Sequence, residues 1–70
     1  MFRENDIIVS RASYKKNRNA APRSVVVRVY DDGRLLRYCL RYNARYIVER
    51  PELWLVVGKR GVGDSLKEAE

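Results

Sequence analysis

The sequence has no histidine and a single cysteine, Cys39. Without histidine the commonest general base is missing, and neither Cys39 nor any serine has an evident sequence partner to activate it, so the reading is non-enzymatic. One cysteine excludes an intrachain disulfide, and with no histidine beside it the usual zinc ligand set is absent; no cofactor and no metal are expected. Small domains commonly depend on one of those two staples, so this chain must fold on its core alone. No apolar run approaches the roughly 18 residues of a membrane span, and MFRENDIIVS lacks the long apolar stretch of a secretory signal. The expectation is a cytoplasmic or nucleic-acid-associated setting without a membrane partner.

What is present in quantity is positive charge. The net charge is +6, with 15 Lys and Arg against 9 Asp and Glu. Residues 1–50 carry 12 basic against 5 acidic side chains, and residues 51–70 carry 3 against 4. The excess is thus confined to the first fifty residues, an asymmetry that points to a polyanionic partner. Seventy residues make one domain that buries only about 60% of its unfolded surface, so the core is thin and self-association would help it.

The segment Asp6–Ser10, DIIVS, reads as a first strand. Residues 11–23, RASYKKNRNAAPR, hold five basic and no acidic side chains with no apolar period, and read as a basic loop. SVVVRVY (24–30) is the clearest strand. The Asp32-Gly33 pair after it suits a two-residue hairpin turn into a second strand. That register places Val25, Val27, Val29, Leu36, Tyr38 and Leu40 on an inner face. Val26, Arg28, Tyr30, Leu35, Arg37, Cys39 and Arg41 then fall on an outer one, with Arg28 opposite Arg37. A three-residue turn with a bulge at Gly33 would pair Val29 with Leu35 and mix apolar with charged residues, so the two-residue turn is preferred. The stretch RYCLRYNARY (37–46) repeats an Arg-Tyr pair every four residues, a step that places its arginines on one face of a strand or a helix alike. The competing reading makes residues 34–49 a helix with an arginine stripe at 34, 37, 41 and 45. Residues 52–58, ELWLVVG, read as a central strand with Trp54 in the core. In the tail, Ser65-x-x-Glu68 resembles a capping box.

The expected fold is therefore mainly β, a small SH3-like barrel or a strongly bent antiparallel sheet, with an α+β alternative carrying the 34–49 helix. The domain spans 1–58, and 59–70 form a flexible or short helical tail. The expected function is nucleic-acid binding, DNA or RNA, with little sequence specificity. Arg11, Tyr14, Lys15, Lys16, Arg18 and Arg23 would contact phosphates and bases from the loop. Arg28, Tyr30, Arg37 and Arg41 would do so from the outer hairpin face, and Lys59 and Arg60 from a glycine-flanked turn. The alternative is a protein-interaction module, an adaptor or inhibitor, binding an acidic surface and possibly forming a homodimer or larger homo-oligomer.

Overall fold

The computed structural model describes residues 2–60. Five strands, β1 (Asp6–Ser10), β2 (Ser24–Val29), β3 (Leu35–Cys39), β4 (Ala44–Val48) and β5 (Trp54–Lys59), form one sheet in the order β4-β3-β2-β1-β5. Every neighbouring pair is antiparallel. A six-residue helix, α1 (Arg11–Lys16), and a 3-10 turn, Pro51–Leu53, complete the elements. The mainly β class read from the sequence is the one that forms. The possible capping box at Ser65 lies outside the described residues.

The β-branched runs become strands because their branched side chains pack well on a pleated surface. The alternative helix over 34–49 does not form: Leu35–Cys39 and Ala44–Val48 are separate strands. They are joined through a turn in which Asn43 takes a φ of 52°, a left-handed conformation that Asn tolerates better than most residues. The basic segment 11–23 is not all loop, since its first six residues form α1. Ser10 caps that helix by accepting the Ser13 N–H, and Lys15 and Lys16 occupy its last turn, where the helix dipole favours cations. β5 is an edge strand beside β1, whereas the sequence reading placed it centrally.

The core sits on one face of the sheet. Ile8, Val26, Leu35 and Val48, from four strands, are fully or nearly fully buried there, and Phe2 and Trp54 pack against them. Ser24 and Cys39 are buried opposite each other on the same face. Alternation sends Val9 and Val25 to the other side, where they too are buried. The chain also bends. Register shifts interrupt the β1–β5 pairing at Ile7/Ile8 and the β2–β3 pairing between Val26 and Arg28, and such bulges increase local twist and curl a sheet.

The β2–β3 hairpin differs from the sequence reading in its turn, in its register and in which of its faces is buried. Gly33 N–H donates to the Tyr30 carbonyl at 3.0 Å, and Tyr30 N–H donates to the Arg34 carbonyl at 2.9 Å. Gly33 has a φ of 93°. This is the three-residue turn with a glycine bulge, and Val29 pairs with Leu35. A second bulge, at Val27, brings Val26 opposite Arg37 and Arg28 opposite Leu36, so the mixing of apolar and charged residues that argued against this turn is present in the sheet. The expected Arg28–Arg37 repulsion does not arise. The two faces keep their expected membership over residues 24–27 and 35–40, but the main core lies on the other one: Val26, Leu35 and Cys39 belong to it, whereas Tyr38, Leu40 and the buried Val25 lie on the opposite side.

The turn is reinforced by Asp32, whose carboxylate accepts the Arg34 backbone N–H at 3.0 Å and the Arg34 Nε–H at 2.7 Å. The Arg34 backbone N–H holds the Asp32 carboxyl below its usual pKa; desolvation opposes this, and the Arg34 guanidinium adds to the lowering. Support from this contact is complete above the ordinary carboxylate pKa and is lost as pH falls through the lowered one.

A β-carbon added at Gly33 meets nothing within 4 Å, so any cost of substitution there is backbone strain alone. Gly33→Ala is expected to lower stability by about 1–2 kcal/mol, and Gly33→Asn by less. Urea unfolding of the two variants checks this; equal stability of Gly33→Ala and wild type would remove the strained-turn account.

Candidate nucleic-acid interface

On the side of the sheet away from the main core, a groove of about 640 Å³ crosses the strands. Its floor is apolar, formed by Val25, Val27, Tyr38 and Leu40, and its sides carry Arg23, Arg41, Arg45 and Arg60 with Asn19. Among the described residues, no acidic one lines it. Tyr38 and Arg45 are direct cross-strand partners, which is why they share this face. Arg60 is brought in from the end of β5, its N–H bound to the Asn5 carbonyl at 2.7 Å. Arg41 leaves the β3–β4 turn and donates to the Ala20 carbonyl at 3.2 Å, tying the turn to the segment that precedes β2. That segment is itself shaped by Asn17, whose side-chain oxygen accepts the N–H groups of Asn19 and Ala20. Tyr38 donates its hydroxyl hydrogen to the Asn43 side chain.

Ion pairing among the described residues leaves this groove alone. Arg34 is engaged by Asp32 and Glu49, and Arg50 by Glu52. Arg23, Arg41, Arg45 and Arg60 make no ion pair with a described carboxylate. Four guanidinium groups around a greasy floor form a surface of one sign with low-dielectric walls, an arrangement that concentrates anions.

No protein-family model matches the chain, and no curated protein or solved structure matches it. The geometry therefore has to carry the functional reading by itself.

The structure divides the expected contact residues among several places. Arg23, Arg41 and Arg60 meet in the groove. Arg45, left out of the expected set, joins them; its place in the Arg-Tyr repeat was the available signal, and the β3–β4 pairing is what directs it there. The residues of α1 and of the turn after it stand apart from the groove lining: Arg11 donates from Nε to the Glu52 carbonyl at 3.0 Å, and Arg18 lies over the Tyr14 ring at 5.4 Å. Lys15 and Lys16 are exposed. Arg28 and Lys59 are exposed on β2 and β5, and Tyr30 sits at the hairpin with Arg34 over its ring. The arginines of the repeat do not share one face.

Arg37 is the clearest departure. Expected on an exposed surface, it points to the core face between Leu35 and Cys39 and is half-buried. Its guanidinium lies 4.6 Å from the centre of the Tyr46 ring and 4.6 Å from that of Trp54, and its Nη1 donates to the Ser24 hydroxyl at 2.9 Å. Contact with two rings and one hydroxyl offsets part of the desolvation that makes a lone buried charge unfavourable. Cys39 adjoins it. Burial pushes this thiol up, but the backbone N–H groups of Tyr42 and Arg41, the Ser24 hydroxyl and Arg37 together bring its pKa below the usual cysteine value.

Arg37→Lys keeps the charge and removes the flat surface that both rings contact, so it is expected to lower stability by about 1–2 kcal/mol. Urea unfolding followed by Trp54 emission is the measurement, and an unchanged midpoint would mean the two rings hold their places without the guanidinium.

Proposed function

We propose that this chain is a non-enzymatic nucleic-acid-binding protein that holds a phosphate backbone in the Arg23–Arg41–Arg45–Arg60 groove with little sequence selectivity. The observation carrying this reading is that these four arginines converge without any described carboxylate among them, while Arg34 and Arg50 are paired with carboxylates elsewhere. Arginine suits the task because its planar fork matches two phosphate oxygens at once. The apolar floor with Tyr38 offers sugars and bases a surface to lie against, which an ion-exchange patch of lysines would not. Arg11, Lys15, Lys16 and Arg18 then contribute a longer-range attractive field from α1 and the turn after it, without base contacts.

Each neutralised phosphate releases condensed counterions, so affinity falls steeply as salt rises. Fluorescence anisotropy with DNA and RNA strands across a salt series tests the proposal. Single Arg→Ala changes at 23, 41, 45 and 60 are each expected to weaken binding several-fold and to lower the salt slope by about one contact. Arg34→Ala and Arg50→Ala are expected to change it little. Micromolar or weaker binding of every strand at low salt ends this reading.

A second reading, self-association or docking to a protein, is favoured by the sheet's two open edges. β4 exposes Tyr46 and Ile47, and Val56 of β5 and Leu53 just before it are similarly exposed. Neither strand is paired on its outer side by another described strand, and an edge of this kind is a template for strand addition. Sedimentation equilibrium is expected to show a dimer or larger assembly that Val56→Lys dissociates; a monomer at high protein concentration counts against it.

A further inference from the structure

We propose that the cavity beside Arg37 accepts one unpaired nucleobase, so that the polymer lying in the arginine groove is single-stranded. The inference rests on the nucleic-acid reading of that groove and adds a second, chemically different subsite to it. The cavity measures about 350 Å³ and is lined in part by Ser10, Ser13, Pro22, Arg37, Tyr42 and Trp54. Pro22 also lines the groove, so the two sites meet at that residue. A nucleotide has the same two-part character: an anionic phosphate, suited to four arginines, and a flat base, suited to aromatic walls.

The donors in the cavity select for a base edge. The Arg37 guanidinium lies over the Tyr46 and Trp54 rings, each at 4.6 Å, and one Nη1 hydrogen goes to the Ser24 hydroxyl at 2.9 Å. Its other in-plane N–H groups have no carboxylate within ion-pairing distance among the described residues, and the group has five such donors in all. What remains open is the edge of the fork, which donates in plane to acceptors such as the ring nitrogens and carbonyl oxygens of a base. Tyr42, 63% exposed at the mouth, supplies a ring face with no other packing duty in the core. Stacking on such a ring is tolerant of base identity, consistent with low sequence selectivity. In a duplex each base is closed into a pair and a stack, so a duplex would have to extrude one before it could enter.

Trp54 is the only tryptophan in the chain and lines the cavity, so its emission reports occupancy. The experiment titrates the whole chain with single-stranded DNA and RNA of about eight nucleotides, a length within the usual site sizes, with abasic strands of equal length, and with duplex. Single strands bearing bases are expected to quench Trp54 and to bind about tenfold tighter than abasic strands, in line with the worth of one stacked base. Tyr42→Ala, checked for an unchanged far-ultraviolet circular dichroism spectrum, is expected to erase that tenfold difference while leaving abasic affinity where it was. Equal affinity for base-bearing and abasic strands with unchanged Trp54 emission overturns the base pocket and leaves the groove standing. Quenching by duplex as strong as by single strands also overturns it. No binding of either kind of strand overturns the groove reading and the pocket together.

Discussion

The contact of the Arg37 guanidinium with Tyr46 and Trp54 governs the shape of this sheet. Tyr46 belongs to one edge strand and Trp54 to the other. A flat sheet would hold β3 and β5 about 14 Å apart, three strand spacings, yet the Arg37 guanidinium lies against rings from β4 and β5 at the same short distance. The two ends are brought toward each other across the core face. In a domain too small to close its core with aliphatic side chains alone, one long cationic side chain flanked by two aromatic rings fills the remaining opening. Its alkyl stem lies along the apolar surface and its charge is kept near the rim.

That curvature needs backbone irregularity, and the bulges supply it. The shift between Val26 and Arg28 tightens the middle of the sheet; the one at Ile7/Ile8 does the same between β1 and β5. The first of these also sets the faces of the hairpin. With the glycine-bulged turn alone, Val27 would oppose Arg37, and Val25, Val27 and Val29 would share the core face. One extra residue in β2 puts Ser24 and Val26 in the core instead and leaves Val25 and Val27 on the groove floor. Two local irregularities thus compensate each other, and neither is comprehensible without its partner.

The distribution of charge follows from the same topology. Carboxylates at the hairpin and at the 3-10 turn engage Arg34 and Arg50, the cations nearest to them in sequence. The arginines that gather in the groove come from the segment before β2, the β3–β4 turn, β4 and the end of β5, places brought together only by the folded chain. Asp32, Glu49 and Glu52 pair with Arg34 and Arg50, and four of the remaining arginines converge where no described acid lines the surface. Both the phosphate-binding proposal and the base pocket beside it arise from that segregation, one from arginines on the outer face and the other from the single arginine on the inner.

Composition and local pattern alone determined a good deal: a mainly β chain, a first strand at Asp6–Ser10, a hairpin turning at Asp31-Asp32-Gly33, and an excess of basic residues. These were legible because branched runs, turn residues and net charge act over a few neighbouring positions. Which face of the hairpin is buried was not legible. Leu36, Tyr38 and Leu40 look more apolar than Leu35, Arg37 and Cys39, and only contacts with strands far along the chain make the second set the core. The even four-residue step of the Arg-Tyr repeat likewise promised one shared face, but the turn between Cys39 and Ala44 breaks the alternation and sends Arg37 and Arg45 to opposite sides. Periodicity assigns a side chain to a face only while a strand runs unbroken. Where a bulge or turn intervenes, the side is decided by which remote groups can satisfy it, and for Arg37 those groups are Ser24, Tyr46 and Trp54.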